Sequence, residues 1–156
     1  MMCMSNMKPY ALEKTIEVFK VVLRLEDGSL VSIICYCQDN LENYTYKLGT
    51  NTKTVDTTGI HTYESRDSAI EFARVIAKWR RINKNNDGEN KVESVCVLSA
   101  YISADVEVEK GDWYGHTGYV SDSIVTDATP IKEYLWEPDF KTFAKRALAI
   151  GMMSDR

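Results

Sequence analysis

Side chains that could carry catalysis are few in this sequence, and they match no known catalytic motif. The chain has two histidines, His61 and His116, too few for a metal site built from several histidines. Asp105, Glu107 and Glu109 alternate along a predicted strand, so their carboxylates share one of its faces. On an edge strand such a row of charges usually faces solvent and opposes aggregation. Neither a glycine-rich phosphate loop nor a Gly-x-Ser-x-Gly elbow is present, so the sequence favours a protein that is not an enzyme.

The cysteines do not have the spacing of a zinc site. Cys35 and Cys37 are two residues apart and would share one face of a strand, whereas Cys96 lies much further along the chain. A zinc finger or ribbon has characteristic ligand spacings that this sequence lacks. These residues and Cys3 are therefore interpreted as reduced thiols, buried where their surroundings are apolar. We predict no metal and no cofactor.

A loop rich in aromatic residues is the main candidate for binding. Residues 110–118 include three glycines and the aromatic pair Trp113 and Tyr114, followed by His116 and Tyr119. Aromatic side chains bury a large contact area at a low entropic cost. We therefore interpret these four side chains as candidate contacts for a partner. The alternative is that they anchor the loop or the core of the fold.

The element that must position these candidates is a helix in the middle of the chain. Ile60 to Tyr63 are β-prone, Ser65 is a good N-cap, and Asp67 places negative charge in the first helical turn. Apolar residues then recur with helical spacing at Ala69, Phe72, Ala73, Ile76 and Trp79. The segment 44–82 therefore ends in a predicted strand, cap and amphipathic helix in direct succession.

A β-hairpin is predicted near the N-terminus, over residues 16–36. It turns at Asp27-Gly28, a dipeptide that favours a two-residue type I′ turn because both turn positions need positive φ. With that loop, Leu25 lies opposite Leu30. The remaining pairs are Leu23 with Ser32, Val21 with Ile34, and Phe19 with Tyr36. This face is mostly apolar and the other is mixed, which predicts an antiparallel sheet packed on one side.

The rest of the chain is predicted to contain more strands, loops and a last helix. Residues 50–58 are rich in hydroxyl and amide groups and suit an exposed loop. Residues 92–108 suit a long strand that begins in the core and bends near Ser103, and a further strand covers 119–126. An amphipathic C-terminal helix is predicted over 139–151.

These elements predict an α+β fold. It has an antiparallel or mixed sheet with an N-terminal β-hairpin, one main amphipathic helix packed on one face, and a C-terminal helix. We expect residues 1–15 to be a loose N-terminal segment, residues 16–151 to form a single α+β domain, and residues 152–156 to be a tail. The 156-residue length suits one domain, and the 44% of hydrophobic residues argues against disorder over most of the chain.

Charge and hydropathy exclude some function classes. The net charge of −4 argues against general binding to nucleic acids or to membrane surfaces. The one dense basic group is formed by Lys78, Arg80, Arg81 and Lys84, and it suits a solvated helix end. No apolar run has the length of a membrane span, and the first residues lack the features of a signal peptide. We therefore expect a cytoplasmic protein.

Residues 59–73 resemble the strand-to-helix segment of ADP-ribosyltransferase-like domains. In both, a glycine and an aromatic residue precede a helix with a Ser or Thr cap and a Phe-Ala pair in its first turns. The resemblance implies that Tyr63 or His61 would lie beside bound NAD. It covers about a tenth of the chain.

The same resemblance implies a catalytic glutamate late in the chain. Glu107 or Glu109 would stabilise the ribosyl cation. The family's early His or Arg motif on the first strand is missing, and Arg24 is the one candidate for it.

A broader resemblance concerns the order of the elements from residue 17 to residue 126. The hairpin sequence 19–32, the segments 46–49 and 59–65, the helix and the long strand are similar to small domains that phages and other viruses encode. This resemblance implies a compact α+β domain and brings no catalytic residue with it.

Three functions are left open. The first, which we favour, is a non-enzymatic binding or interaction module that engages a host protein or a small ligand. The second is an ADP-ribosyltransferase-like or other NAD-handling enzyme, which requires Tyr63 close to Glu107 or Glu109. The third, compatible with the first, is self-assembly into a homo-oligomer through an edge strand or the last helix.

Overall fold

The computed structural model describes residues 5–32, 45–53, 59–78, 92–113 and 115–135. Within these residues the chain forms eleven β-strands and one α-helix. The strands are β1 (Ser5–Tyr10), β2 (Ile16–Leu25), β3 (Leu30–Val31), β4 (Thr45–Tyr46), β5 (Asn51–Lys53), β6 (Ile60–Tyr63), β7 (Val92–Ile102), β8 (Val108–Trp113), β9 (His116–Ser121), β10 (Ser123–Thr126) and β11 (Lys132–Leu135). The helix, α1 (Arg66–Ala77), lies between β6 and β7. All strand pairs among the described residues are antiparallel, so the fold is a large antiparallel sheet with one helix.

The two longest strands, β2 and β7, form the centre of the sheet. They pair along their whole length, from Ile16 opposite Ile102 to Leu25 opposite Val92. On its other side, β2 pairs with two short strands, β3 and β6. On its other side, β7 pairs with the short strands β10 and β11. From β6 the sheet continues through β9 and β8 to β1. Residues 94–100 of β7 are all buried, which confirms that this strand begins in the core.

Helix α1 forms where its sequence predicts it. The Ser65 hydroxyl accepts a hydrogen bond of 3.3 Å from the backbone N–H of Ser68, and Asp67 lies in the first turn. Phe72 and Ile76 face the sheet and are buried. The first core, on this face, joins them to Phe19, Val21, Leu23, Leu25, Val31, Tyr63, Ala69, Ala73, Ala77, Val92, Val95, Val97 and Tyr134. Burial of this apolar face stabilises the helix more than its intrinsic propensity does.

The opposite face of the central strands is also buried. The second core contains Val18, Val22, Leu30, Tyr46, Ile60, Cys96, Leu98, Ala100, Ile102, Val108, Tyr119 and Ile124. These residues come from eight strands, β2 to β4 and β6 to β10. Four partly buried side chains pack against this core: Leu12, Ile16, Leu48 and Val106. The sheet therefore has two apolar faces at its centre, whereas the sequence pattern predicted one apolar and one mixed face.

The predicted register of the β2–β3 hairpin is wrong by one residue. Arg24 lies opposite Leu30, where the prediction placed Leu25. A shift of one residue exchanges the two faces of a strand. Leu30 accordingly joins the second core, and Val31 joins the first. The predicted pairs beyond residue 32 lie outside the described residues.

The cause of the shift is a longer turn. The loop comprises residues 26–28, closed by hydrogen bonds of 2.9 Å from Gly28 N–H to Leu25 O and from Leu25 N–H to Ser29 O. Gly28 has φ of +88°, as expected for the left-handed residue that ends a three-residue hairpin loop. The Asp27 carboxylate accepts from the N–H and the hydroxyl of Ser29, at 2.9 and 2.5 Å. These side-chain bonds favour the longer loop over a type I′ turn.

The N-terminal segment differs from the loose chain that we expected over residues 1–15. Ser5–Tyr10 is strand β1, and it pairs with β8, with Tyr10 opposite Val108. Pro9 lies within this strand. The sheet tolerates it because β1 is the last strand on its side, and an edge strand makes ladder hydrogen bonds along one side only.

The long strand predicted over 92–108 ends at Ile102, close to the bend predicted near Ser103. A turn follows, in which the N–H of Val106 donates to the carbonyl of Ser103 at 3.1 Å. The predicted loop 110–118 is largely the hairpin of β8 and β9. The alternation of polar and apolar residues could not locate the turn after Ile102, because polar residues continue on both sides of that turn.

Other predictions are changed or lie beyond the described part. The strand predicted over 119–126 is interrupted at Asp122 between β9 and β10. Within 50–58, residues Asn51–Lys53 form β5 and pair with β10, in place of a loop. The C-terminal helix over 139–151 lies outside the described residues, as do Trp79, Arg80, Arg81 and Lys84. Among the residues that the structure describes, no helix is long and apolar enough to cross a membrane.

Candidate functional site

An open cleft of about 800 Å³ lies at one end of the sheet. Its walls come from four separate parts of the chain: residues 9–12, Gly59, residues 104–109 and residues 120–122. We call it the edge cleft. Pockets that bind small ligands typically measure about 300 to 1,000 Å³. The volume of the edge cleft falls within that range.

The floor of the edge cleft is apolar. Leu12 and Val106 are half-buried and pack against the second core, and Val108 is buried in it. Val120 also lines the cleft, but it pairs with Glu109 and His61 and so lies on the sheet face opposite Val108. Tyr10 is 44% exposed, which makes it one of the few large apolar side chains that reach solvent in the described structure. The cleft is thus an opening at the end of the second core.

The rim of the edge cleft is acidic. Asp105, Glu107, Glu109 and Asp122 all line it and are all exposed. The hydroxyl of Ser103 donates a hydrogen bond to the Asp105 carboxylate and lowers the pKa of that group. None of the described residues that line the cleft carries a positive charge. Acidic side chains are thus the only charged ones among the described residues of the lining, which favours cationic ligands.

Gly59 closes one side of the edge cleft, and its lack of a side chain is required there. Its φ is +75°, a conformation that L residues with a Cβ rarely adopt. A Cβ at this position would lie 2.4 Å from Cγ1 of Val120. The glycine therefore permits the chain to approach β9 at the start of β6.

Beside the cleft, the Lys110 ammonium lies between two aromatic rings. Its Nζ is 4.8 Å from the ring centre of Tyr10 and 5.5 Å from that of Tyr119. The Glu64 carboxylate lies 3.3 Å from the same ammonium and accepts a 2.8 Å hydrogen bond from the Tyr119 hydroxyl. Burial, and then this carboxylate, raise the pKa of Tyr119. Tyr119 is 5% exposed, so its position agrees with a core anchor, and its predicted contact with a partner stays a prediction.

On the helix side of the sheet, Tyr63 and His116 lie together. Tyr63 is buried and packs against Phe72, with ring centres 5.5 Å apart. The His116 ring meets it edge-on at 6.4 Å. Nδ1 of His116 and the Ser68 hydroxyl share a hydrogen bond of 2.8 Å, and Nε2 lies 3.8 Å from the Glu71 carboxylate. These contacts join the start of helix α1 to strand β9.

The order Ser68, His116, Glu71 is that of a nucleophile, a base and an orienting carboxylate. The separation of 3.8 Å exceeds a hydrogen bond, and the Glu71 side chain is 70% exposed. None of the three residues lines the edge cleft. We therefore interpret the group as a contact between helix and sheet. Ser68 and Glu71 could not be identified from the sequence, because both contact His116 on a strand that is distant in sequence.

His61 lies two residues before Tyr63 in β6, half-buried on the same face of the sheet. Burial, and then the nearby Lys20 ammonium, lower the pKa of His61 to about 4. Lys20 donates a 2.8 Å hydrogen bond to the backbone carbonyl of His61. His61 is thus neutral at physiological pH. Its predicted place in a binding site stays a prediction.

Cys96 is not a reactive thiol. It is fully buried, and burial followed by the neighbouring Glu133 carboxylate raises its pKa to about 12. The protonated thiol donates to Glu133 at 2.9 Å, and Arg24 Nε donates to the same oxygen at 2.7 Å. No group of three potential metal ligands occurs among the described residues, and Cys3, Cys35 and Cys37 lie outside them.

His61 and Glu109 both lie opposite Val120 and share a sheet face, with strand β9 between them. Glu107 and Glu109 line the edge cleft, whereas Tyr63 and His61 do not. Tyr63 is separated from Glu109 by strand β9 and is covered by helix α1. Arg24, the candidate for the family's early basic residue, is paired with Glu133.

The aromatic pair in the predicted contact loop is described only in part. Trp113 ends β8 opposite His116, and the turn to β9 passes through Gly115, which has φ of +83°. The side chain of Trp113 and the whole of Tyr114 lie outside the described residues, so their contact role stays a prediction.

Comparisons with protein-family models, with curated proteins and with solved structures found no match. The resemblances to ADP-ribosyltransferase-like domains and to viral domains therefore stay predictions. Function must be inferred from the geometry of the described residues.

Proposed function

We propose that this protein is a non-enzymatic binding module whose ligand site is the edge cleft. The observation that carries the proposal is an open cleft of about 800 Å³ with an apolar floor and an acidic rim. Binding sites combine apolar surface, which supplies affinity, with a few polar groups that fix orientation. The edge cleft has both, and Tyr10 adds an exposed aromatic ring.

The absence of a working catalytic set in the described part supports binding over catalysis. The carboxylates of the rim are exposed, and the buried thiol and the histidines lie elsewhere. The acidic rim also disfavours the NAD-handling alternative because the pyrophosphate of NAD is negatively charged and would be repelled. A host protein or a small ligand, in a viral context, is the setting that the sequence resemblance suggests.

A thermal-shift screen with two matched variants tests the proposal. Ala104→Trp would place a large side chain in the edge cleft, and Ala128→Trp would place it at an exposed position that does not line the cleft. The panel contains cationic, neutral and anionic fragments, together with NAD and ADP-ribose. A ligand at a hundred times its dissociation constant stabilises the folded state by about 2.7 kcal/mol.

We expect at least one fragment to raise the melting temperature of the wild type and of Ala128→Trp, but not of Ala104→Trp. A panel without any stabilising compound would contradict the proposal. Equal shifts of the melting temperature in all three proteins would show that the ligand binds outside the cleft. A shift with NAD or ADP-ribose alone would favour the enzymatic alternative.

A further inference from the structure

The charge of the edge cleft indicates what kind of ligand it takes, and this inference rests on the proposed function. We propose that the cleft binds a lysine- or arginine-bearing segment of a partner protein. The cationic head would lie against the acidic rim, and the methylene stem would lie on the apolar floor.

The first support is charge complementarity. Asp105 and Glu107 lie in the turn after β7, and Asp122 lies just after β9. Glu109 lies in β8, on the sheet face opposite Val108, and all four carboxylates line the cleft. Lys110 contacts the ring of the lining residue Tyr10, but it also pairs with Glu64 and does not line the cleft. A cleft walled by one sign of charge concentrates ligands of the opposite sign.

The second support is the aromatic ring at the cleft, which is independent of the carboxylates. Tyr10 lines the cleft, and the Lys110 ammonium already lies 4.8 Å from its ring centre. This internal contact is the cation–π geometry by which aromatic rings recognise ammonium and guanidinium groups. The exposed part of the same ring offers a similar contact to a cation that enters the cleft.

The third support is the combination of apolar floor and size. Lysine and arginine bury their methylene stems on apolar surface while the charged head stays in a polar environment. Leu12 and Val106 provide such a surface next to the rim. The volume of about 800 Å³ is larger than one side chain needs and the cleft is open, so a segment of chain fits it better than a free amine.

The test uses three capped pentapeptides whose central residue is lysine, norleucine or glutamate, with alanine and leucine elsewhere. Norleucine keeps the methylene stem and removes the ammonium. Binding to the full-length protein is measured by titration in amide NMR spectra, following Gly59, Val108 and Val120, at low and at high salt. Butylammonium chloride is titrated in parallel as a small amine.

We expect the lysine peptide to bind about tenfold more tightly than the norleucine peptide and to weaken at high salt. The glutamate peptide should bind least. The double variant Glu107→Gln/Glu109→Gln should lose about tenfold in affinity for the lysine peptide. The matched control Glu93→Gln, an exposed glutamate of β7 outside the cleft, should leave affinity unchanged.

Each other outcome overturns a defined part of the account. Equal affinity of the lysine and norleucine peptides at the cleft would contradict cation recognition and leave the proposed binding function standing. If butylammonium binds as tightly as the lysine peptide, the ligand is a small amine and not a segment of a partner protein. If none of the three peptides shifts the cleft amides, the inference is overturned, and the fragment screen decides separately on the binding function.

Discussion

Two tyrosines on neighbouring parts of the same sheet have opposite surroundings. Tyr63 is 9% exposed, packs against Phe72 and lies under helix α1, whereas Tyr10 is 44% exposed and lines the edge cleft. Each has a charged or polar neighbour of the kind found in binding sites. Around Tyr63 the neighbours His116 and Ser68 contact each other, while the carboxylates around the cleft point to solvent. Residue type alone therefore does not separate a structural cluster from a binding site.

The strongest way to test this comparison is to remove the two rings one at a time. Tyr63→Ala should lower the free energy of unfolding by about 3 to 5 kcal/mol because a buried aromatic leaves a cavity in the first core. Tyr10→Ala should cost about 1 to 2 kcal/mol, because it removes a half-exposed ring, its cation–π contact with Lys110 and its contact with the Tyr119 ring. Urea denaturation of both variants gives the two values. Similar losses would show that Tyr10 is a core residue and would weaken the assignment of the cleft.

His61, two residues before Tyr63 in β6, gives a pH-dependent test of burial on the same side of the sheet. Burial and Lys20 hold the pKa of His61 at about 4, below its value of about 6.5 in an unfolded chain. The unfolded state therefore binds more protons between these two values. The contribution of His61 to the free energy of unfolding is therefore fully present above pH 6.5. It is lost as the pH falls toward 4, by up to about 3 kcal/mol.

The measurement is urea denaturation at several pH values for the wild type and for His61→Gln, which cannot titrate. We expect the variant to lose most of the slope between pH 6.5 and pH 4. Glu133, whose pKa is lowered below 4.5 by its bonds to Cys96 and Arg24 despite partial burial, acts at the acid end of this range. An unchanged slope in the variant would show that His61 is not the group responsible.

Alanine substitutions at two glycines test whether β6 and β9 lie in close contact at the wall of the cleft. Gly59→Ala should lower the free energy of unfolding by about 2 to 3 kcal/mol, since it combines a strained φ with a clash against Val120. Gly28→Ala has a similar φ of +88° but nothing within 4 Å of the added Cβ. It should cost about 1 kcal/mol. Thermal or urea denaturation measures the difference, and equal losses would mean that β6 and β9 are not in close contact at Gly59.

The locally encoded parts of the fold could be predicted from the sequence. Helix α1 follows from Ser65, Asp67 and the spacing of its apolar residues, all within a few turns. The hairpin could be predicted, but its register could not. Asp27-Gly28 is compatible with two loop lengths, and the choice depends on bonds to Ser29 and on the burial of Leu30.

The edge cleft could not be predicted because its walls are distant in sequence. Pairing of β1 with β8 brings residues 9–12 to residues 104–109, and a proline in β1 hides this pairing from a reading of propensities. The alternating acids at 105, 107 and 109 were visible as a row. Their common cleft depends on the turn after Ile102, which the sequence pattern indicated only as a bend.

The central claim is that ligands bind at the edge cleft and not beside Tyr63 and His116. Amide NMR spectra of the full-length protein, recorded with the lysine pentapeptide and with the fragments that raise its melting temperature, test this directly. We predict that the amides of Gly59, Val108 and Val120 shift on binding, and that those of Ser68 and His116 do not. Shifts confined to Ser68, His116 and their neighbours would contradict it and would place the binding site on the helix side of the sheet.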